Sequence, residues 1–277
     1  MNEQKIMLEK ALLMNSIESI RKFLTIKRKL NCENINKSEN SVISLILNRF
    51  NEIETIEFCE QLILNIPVNK RMIVLEALLS TFESYTPYHL VKARDDLKQL
   101  KLINSQIEKS ATNLSVLLKQ RSNICKTSKI KTDCYCCTKD IINAANNNGK
   151  LNKPTNNEYL IKSEELEYDQ LPDIAEVISC ISDDASKAKV VPKDLSTKMG
   201  IKSKRPSISD SIRSFYATIQ KEEIDSPRIF EDTCKISNKS MASIFNIGLN
   251  LSEDDIIGEE QFKTAKYRVK QELKNYR

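Results

Sequence analysis

The apolar positions Ile6, Leu8, Leu12, Leu13, Ile17, Ile20, Phe23 and Leu24 recur at the spacing of one face of an α-helix. This predicts a helix over the first thirty residues. The basic cluster RKFLTIKRK (21–29) lies at its end, where cations oppose the negative pole of the helix dipole. A polar loop over 31–40 separates it from a second helical stretch, 41–66, carried by Val42, Leu45, Ile46, Phe50, Ile53, Ile56, Cys59, Leu62 and Ile63 and stopped before Pro67. A third stretch, 70–82, places Ile73, Val74, Ala77, Leu78 and Phe82 on one side.

The strongest pattern follows Thr86-Pro87, a capping hydroxyl with proline at the first helical position. Leu90, Ala93, Leu97, Leu100, Ile103, Ile107, Ala111, Leu114 and Leu118 span 28 residues in eight steps, a mean of 3.5. That is the repeat of a left-handed coiled coil. A continuous helix over 87–123 would be roughly 55 Å long at about 1.5 Å per residue. A helix of that length needs a partner, either the first three helices folded back along it or a second copy of the chain.

Beyond it, Thr132 or Asp133 can cap a helix bearing Cys134, Cys137, Ile141 and Ala145 at helical spacing, with Gly149 just past its end. The Asn-rich run NNNGKLNKPTNNE (146–158) reads as a linker. Pro172 opens a short amphipathic helix through Ala188, and KAKVVPKDLSTKMGIKSKR (187–205) reads as an exposed basic linker with seven cations and one acid. Three more helices are predicted over 207–222, 238–249 and 259–275, with Ser252 and Asp255 resembling a capping box ahead of the last. The expected fold is all-α. A helical bundle over 1–147 is built on the long helix, 148–171 is the linker, and 172–277 is a smaller C-terminal helical region.

Composition sharpens this reading. Among 277 residues there are four glycines, where average usage of roughly 7% would give about nineteen, so tight hairpins and phosphate-cradling loops are disfavoured. No stretch approaches the ~18 consecutive apolar residues of a membrane helix. The opening residues lack the apolar core of a signal peptide, and a cytoplasmic protein is expected. Eight cysteines in a chain this long are too dilute for a disulfide scaffold and are expected as thiols.

Chemistry is sparse. Four of the cysteines fall in CKTSKIKTDCYCCTKD (125–140), but only Cys134 and Cys137 form a CxxC pair. The single histidine, His89, stands a whole helix away from Cys125, so Cys134 and Cys137 are weak metal candidates and read better as thiols on a buried stripe. No phosphate-binding, dinucleotide or HExxH motif occurs, and a triad could run only through His89. Catalysis is therefore disfavoured, and no cofactor is expected.

Charge leaves one further option open. The net charge of +5 divides into +6 over 1–130, −4 over 131–190 and +3 over 191–277. Lys198, Lys202, Lys204 and Arg205 in the basic linker, with Lys263, Lys266, Arg268 and Lys270 on the last helix, could follow a phosphate backbone without reading bases. The leading expectation is a non-catalytic interaction protein that binds a protein partner or itself through the long helix. Sequence-independent DNA or RNA binding is the alternative.

Overall fold

The computed structural model describes residues 7–8, 11–12, 15–33, 37–130, 132, 138, 141, 172–203 and 207–274. Eleven helices and no strand occur among them: α1 (Ile17–Glu33), α2 (Lys37–Asn48), α3 (Ile53–Asn65), α4 (Val68–Ser84), α5 (Pro87–Thr127), α6 (Ile174–Lys187), α7 (Leu195–Gly200), α8 (Ile208–Glu222), α9 (Ile229–Thr233), α10 (Asn238–Gly248) and α11 (Glu259–Lys274). The fold is all-helical, with the long helix and the C-terminal helical region both present. The predicted second stretch, 41–66, is two helices. Between them Arg49 pairs with Glu52 at 2.7 Å, and Thr55 Oγ1 donates to the Arg49 carbonyl at 2.9 Å, closing a turn where one continuous helix was expected.

The helices group into two units, one of residues 1–96 with 191–277 and one of residues 97–190. This grouping cuts across the boundary expected at 148–171, because the C-terminal helices share a core with the N-terminal ones. Its centre is a chain of rings. Phe245 of α10 meets Phe82 of α4, Phe215 of α8 and Phe262 of α11 edge-on, with centroids 5.2, 5.8 and 5.5 Å apart. Tyr216 extends the cluster to Phe230. Such edge contacts add about 0.5–1.5 kcal/mol each beyond simple burial. Gly248 lets α10 approach α4, since a Cβ there would overlap the Phe82 ring.

The ends of these helices are held by particular side chains. Ser207 and Asp210 form a capping box at the start of α8, where the buried Asp210 carboxylate accepts from the Ser207 N–H at 2.9 Å and pairs with Arg213. Arg71, only 3% exposed, donates to the carbonyls of Ile63 and Ile66 at 2.8 and 3.0 Å, satisfying groups that the end of α3 leaves without helical partners. α10 ends in a Schellman motif. Asn250 is left-handed at φ 50°, while the N–H groups of Leu251 and Asn250 bond the Asn246 and Ile247 carbonyls, each at 3.0 Å. Ser252 and Asp255 close a turn, and α11 begins later, at Glu259.

Part of the expected basic linker is structured. Asp194 caps α7 by accepting from the Thr197 N–H at 2.7 Å, and Met199 is fully buried in the core. Gly200 leaves room for Leu90 and Ser214, so α7 packs down where an exposed segment was expected.

In the second unit, residues 97–127 of α5 are met by α6. The Ser115 hydroxyl donates to the Ala175 carbonyl at 2.8 Å, and the Ser182 hydroxyl lies 2.7 Å from Thr112 Oγ1 and 3.0 Å from the Glu108 carbonyl. Rising numbers on one helix meet falling numbers on the other, so the pair is antiparallel. Ala111, Ser115, Ala175 and Ser182 are all buried, and their small size permits this close approach.

Candidate interaction surface

The 3.5-residue stripe read from the sequence separates, in three dimensions, into two parts. Leu90 is buried in the first unit and Ala111 is buried beneath α6. Leu100, Ile103, Ile107 and Leu114 are exposed, and Leu117 and Ile124 continue their row; the six side chains are between 39% and 58% exposed. From Leu100 the row runs in alternating steps of three and four through Ser110 and Arg121, a second heptad-spaced stripe beside the one that α6 covers. At about 1.5 Å per residue it is roughly 36 Å long.

α6 adds to the same face. At about 100° per residue the exposed stripe of α5 lies roughly 100–125° round the helix from the α6 contact. On α6, Ile174, Val177, Ile178 and Ile181 lie about 100° from the Ala175–Ser182 edge. Because the helices run in opposite directions, these two offsets turn to the same side. The pair is therefore a two-helix layer with one apolar face, on which Ile181 is exposed and Ile174, Val177 and Ile178 are half-buried.

The row of α5 that flanks the stripe on the side away from α6 consists of Gln99, Gln106, Asn113 and Gln120. It holds no charge. An apolar face flanked by neutral amides can exclude water against another apolar surface, and one cation in its row, Arg121, is too few to follow a phosphate backbone.

The basic candidates are dispersed in role. Lys202 Nζ lies 3.1 Å from Glu272, and Lys263 Nζ lies 3.1 Å from Glu260. Lys266 is only 9% exposed and donates to the Cys234 carbonyl and to Asn238 Oδ1 at 2.8 and 3.0 Å. Burial lowers its ammonium below the usual lysine range. Lys270 is half-buried against Cys234, whose thiol burial pushes up while Lys270 and Lys266 pull it partly back. Lys198 and Arg268 are exposed. Lys204 and Arg205 lie outside the described residues, as do Cys134 and Cys137.

Lys266 could have been recognised as inward-facing, since it stands four residues after Phe262 and three before Val269, inside the apolar row of its own helix. The exposed continuation through Leu117 and Ile124 was also legible as spacing. Which half of the long stripe α6 would cover was not, because that depends on a contact between residues 60 and 70 positions apart.

His89 is exposed in the first turn of α5 with Nδ1 2.9 Å from Thr86 Oγ1, a capping contact. Cys59 is buried and its thiol is pushed up to about 12 by that burial. No group of three or more metal-ligating side chains occurs among the described residues, and no described helix is long and apolar enough to cross a membrane. Comparison of the chain with family models, curated proteins and solved structures returned no match.

Proposed function

We propose that this chain is a non-catalytic helical interaction protein of the cytoplasm, an adaptor or assembly component, that binds another macromolecule through the apolar face of α5 and α6. The observation that carries the reading is the exposed stripe from Leu100 to Ile124. Six large apolar side chains in heptad register on a polar helix are surface in want of cover, and contiguous patches of this kind mark interaction sites. The charge arrangement favours a protein partner over nucleic acid, because Lys202 and Lys263 already meet carboxylates and Lys266 is buried.

A photo-crosslinking amino acid placed at Leu114 in the native cell tests the reading. A covalent adduct with a polypeptide is expected from Leu114 and not from Leu102, which is more exposed but lies outside the stripe. Adducts from Leu102 alone, or from neither position, would sink the proposal.

A further inference from the structure

Resting on that reading, we infer that the occupant of the α5–α6 face is a second copy of this chain, the two helix pairs closing face to face into a dimeric four-helix bundle. The periodicity of the stripe calls for a matching helix. A step of 3.5 keeps an apolar row in line only against a partner helix that supercoils with it, and four-helix bundles pack helices in this knobs-into-holes manner. A flat or irregular surface would not require the repeat to persist from Leu100 to Ile124.

The rim is also self-compatible. A two-fold interface brings identical patches together, so a rim of one charge sign would meet charges of the same sign. The rim of α5 is Gln99, Gln106, Asn113 and Gln120, neutral side chains that both donate and accept and so can face their own copy without repulsion and still hydrogen-bond. A partner selected by charge would find only Arg121 within the row and no charge along this rim.

The area of the face suits a dimer. α6 has 14 residues, about 21 Å of helix, and the α5 stripe runs roughly 36 Å; with helices about 10 Å wide the face covers about 600 Å². Two copies would bury roughly 1,200 Å², above the ~1,000 Å² expected of a specific interface. The α5 stripe alone would fall short of that area, which is why the contribution of α6 on the same side matters. Ser110 and Arg121 interrupt the row, and polar residues within such a seam restrict the registers in which two copies can close.

The full chain, purified and sized by light scattering, should have twice its 31.8 kDa mass and should dissociate on dilution by mass action. Replacing both Ile107 and Leu114 by glutamate should return it to the single-chain mass with its helical circular dichroism intact, because both side chains are exposed in the single chain. Should that double variant lose helicity, a second measurement decides. Purified chains carrying the crosslinker at Leu114 are mixed with affinity-tagged chains, and a two-chain covalent product is expected.

A wild-type chain that keeps the single-chain mass at about 100 µM, with no two-chain product, overturns the inference. The cellular crosslink then separates the two claims. An adduct from Leu114 to a different polypeptide would leave the interaction reading standing with another occupant, whereas no adduct at all would remove both. A single-chain mass with the Leu114 crosslink falling within residues 131–171 of the same molecule would show that the chain covers its own face.

Discussion

In the unit of residues 1–96 with 191–277 the rings of Phe82, Phe215, Phe245 and Phe262 are enclosed by several helices, whereas α5 leaves a row of large apolar side chains in solvent beyond residue 97. The contrast follows from how many neighbours each helix has. In the first unit α8 touches α4, α7, α9 and α11, so every apolar direction of its surface finds a partner, and Ile212, Phe215, Tyr216 and Ile219 are fully buried. Among the described residues of the second unit α5 is held over 108–115 by α6, and one neighbour covers only one side of a helix. The α6 contact is made by small and hydroxyl-bearing side chains, while the large ones lie beside it. An apolar stripe wider than the single contact it makes is what a bundle component presents before its second layer arrives.

The largest expected effect lies at the ring cluster. Phe245→Ala removes the side chain that touches Phe82, Phe215 and Phe262, and it should destabilise the first unit by roughly 3–5 kcal/mol in urea unfolding. The amides of α6 should keep their hydrogen-exchange protection at low denaturant, since α6 is held through its Ala175 carbonyl and Ser182 hydroxyl by Ser115, Thr112 and Glu108 of α5. Equal loss of protection in both units would mean that they unfold as one and that the contrast between them has no energetic content.

The same contrast explains what the sequence could and could not disclose. Helix positions were legible because 3.6-residue periodicity, Thr86-Pro87 and Pro172 are local signals. The break at Arg49–Glu52 was hidden because apolar spacing continues through it from Ile46 to Phe50 and Ile53, whereas the turn is closed by the Arg49–Glu52 pair and the Thr55–Arg49 contact. α9 escaped notice because five residues are too few to display a period. The basic stretch 187–205 looked like a linker by charge, yet Met199 and Leu195 carry α7 into the core. Charge density describes the solvent side of a segment, and two apolar side chains suffice to bury the other.

A smaller effect is expected at the ion pairs that tie α9 into the first unit. Asp232 Oδ2 lies 3.2 Å from Lys70 and Oδ1 lies 2.9 Å from Lys235. Burial alone would raise the Asp232 carboxyl, but the two ammonium groups overcome it and hold the acid below its ordinary range. With the folded value below the unfolded one, the unfolded chain binds more protons in acid. The stabilisation is therefore complete above the ordinary aspartate value near 4 and is lost as pH falls through the lower folded value. Asp232→Asn should cost about 2 kcal/mol at pH 7, with the gap to wild type closing in acid. A gap that stays constant down to pH 2 would show that the carboxylate's charge plays no part.

The smallest effects belong to the second unit, and they separate its covered side from its open one. Ser182→Ala deletes the hydroxyl shared with Thr112 and the Glu108 carbonyl, which should cost about 1 kcal/mol and raise hydrogen exchange across α6 while leaving α8 unchanged. Leu102→Gln, on the exposed surface outside the stripe, should change stability by no more than about 0.5 kcal/mol and leave the molecular mass unaltered. The pair of results tests the assignment of faces directly. A large penalty at Leu102 with none at Ser182 would place the working surface on the wrong side of α5, since it would mean that an apolar residue off the heptad row is covered and that the hydroxyl contacts with α6 do not hold the helices together.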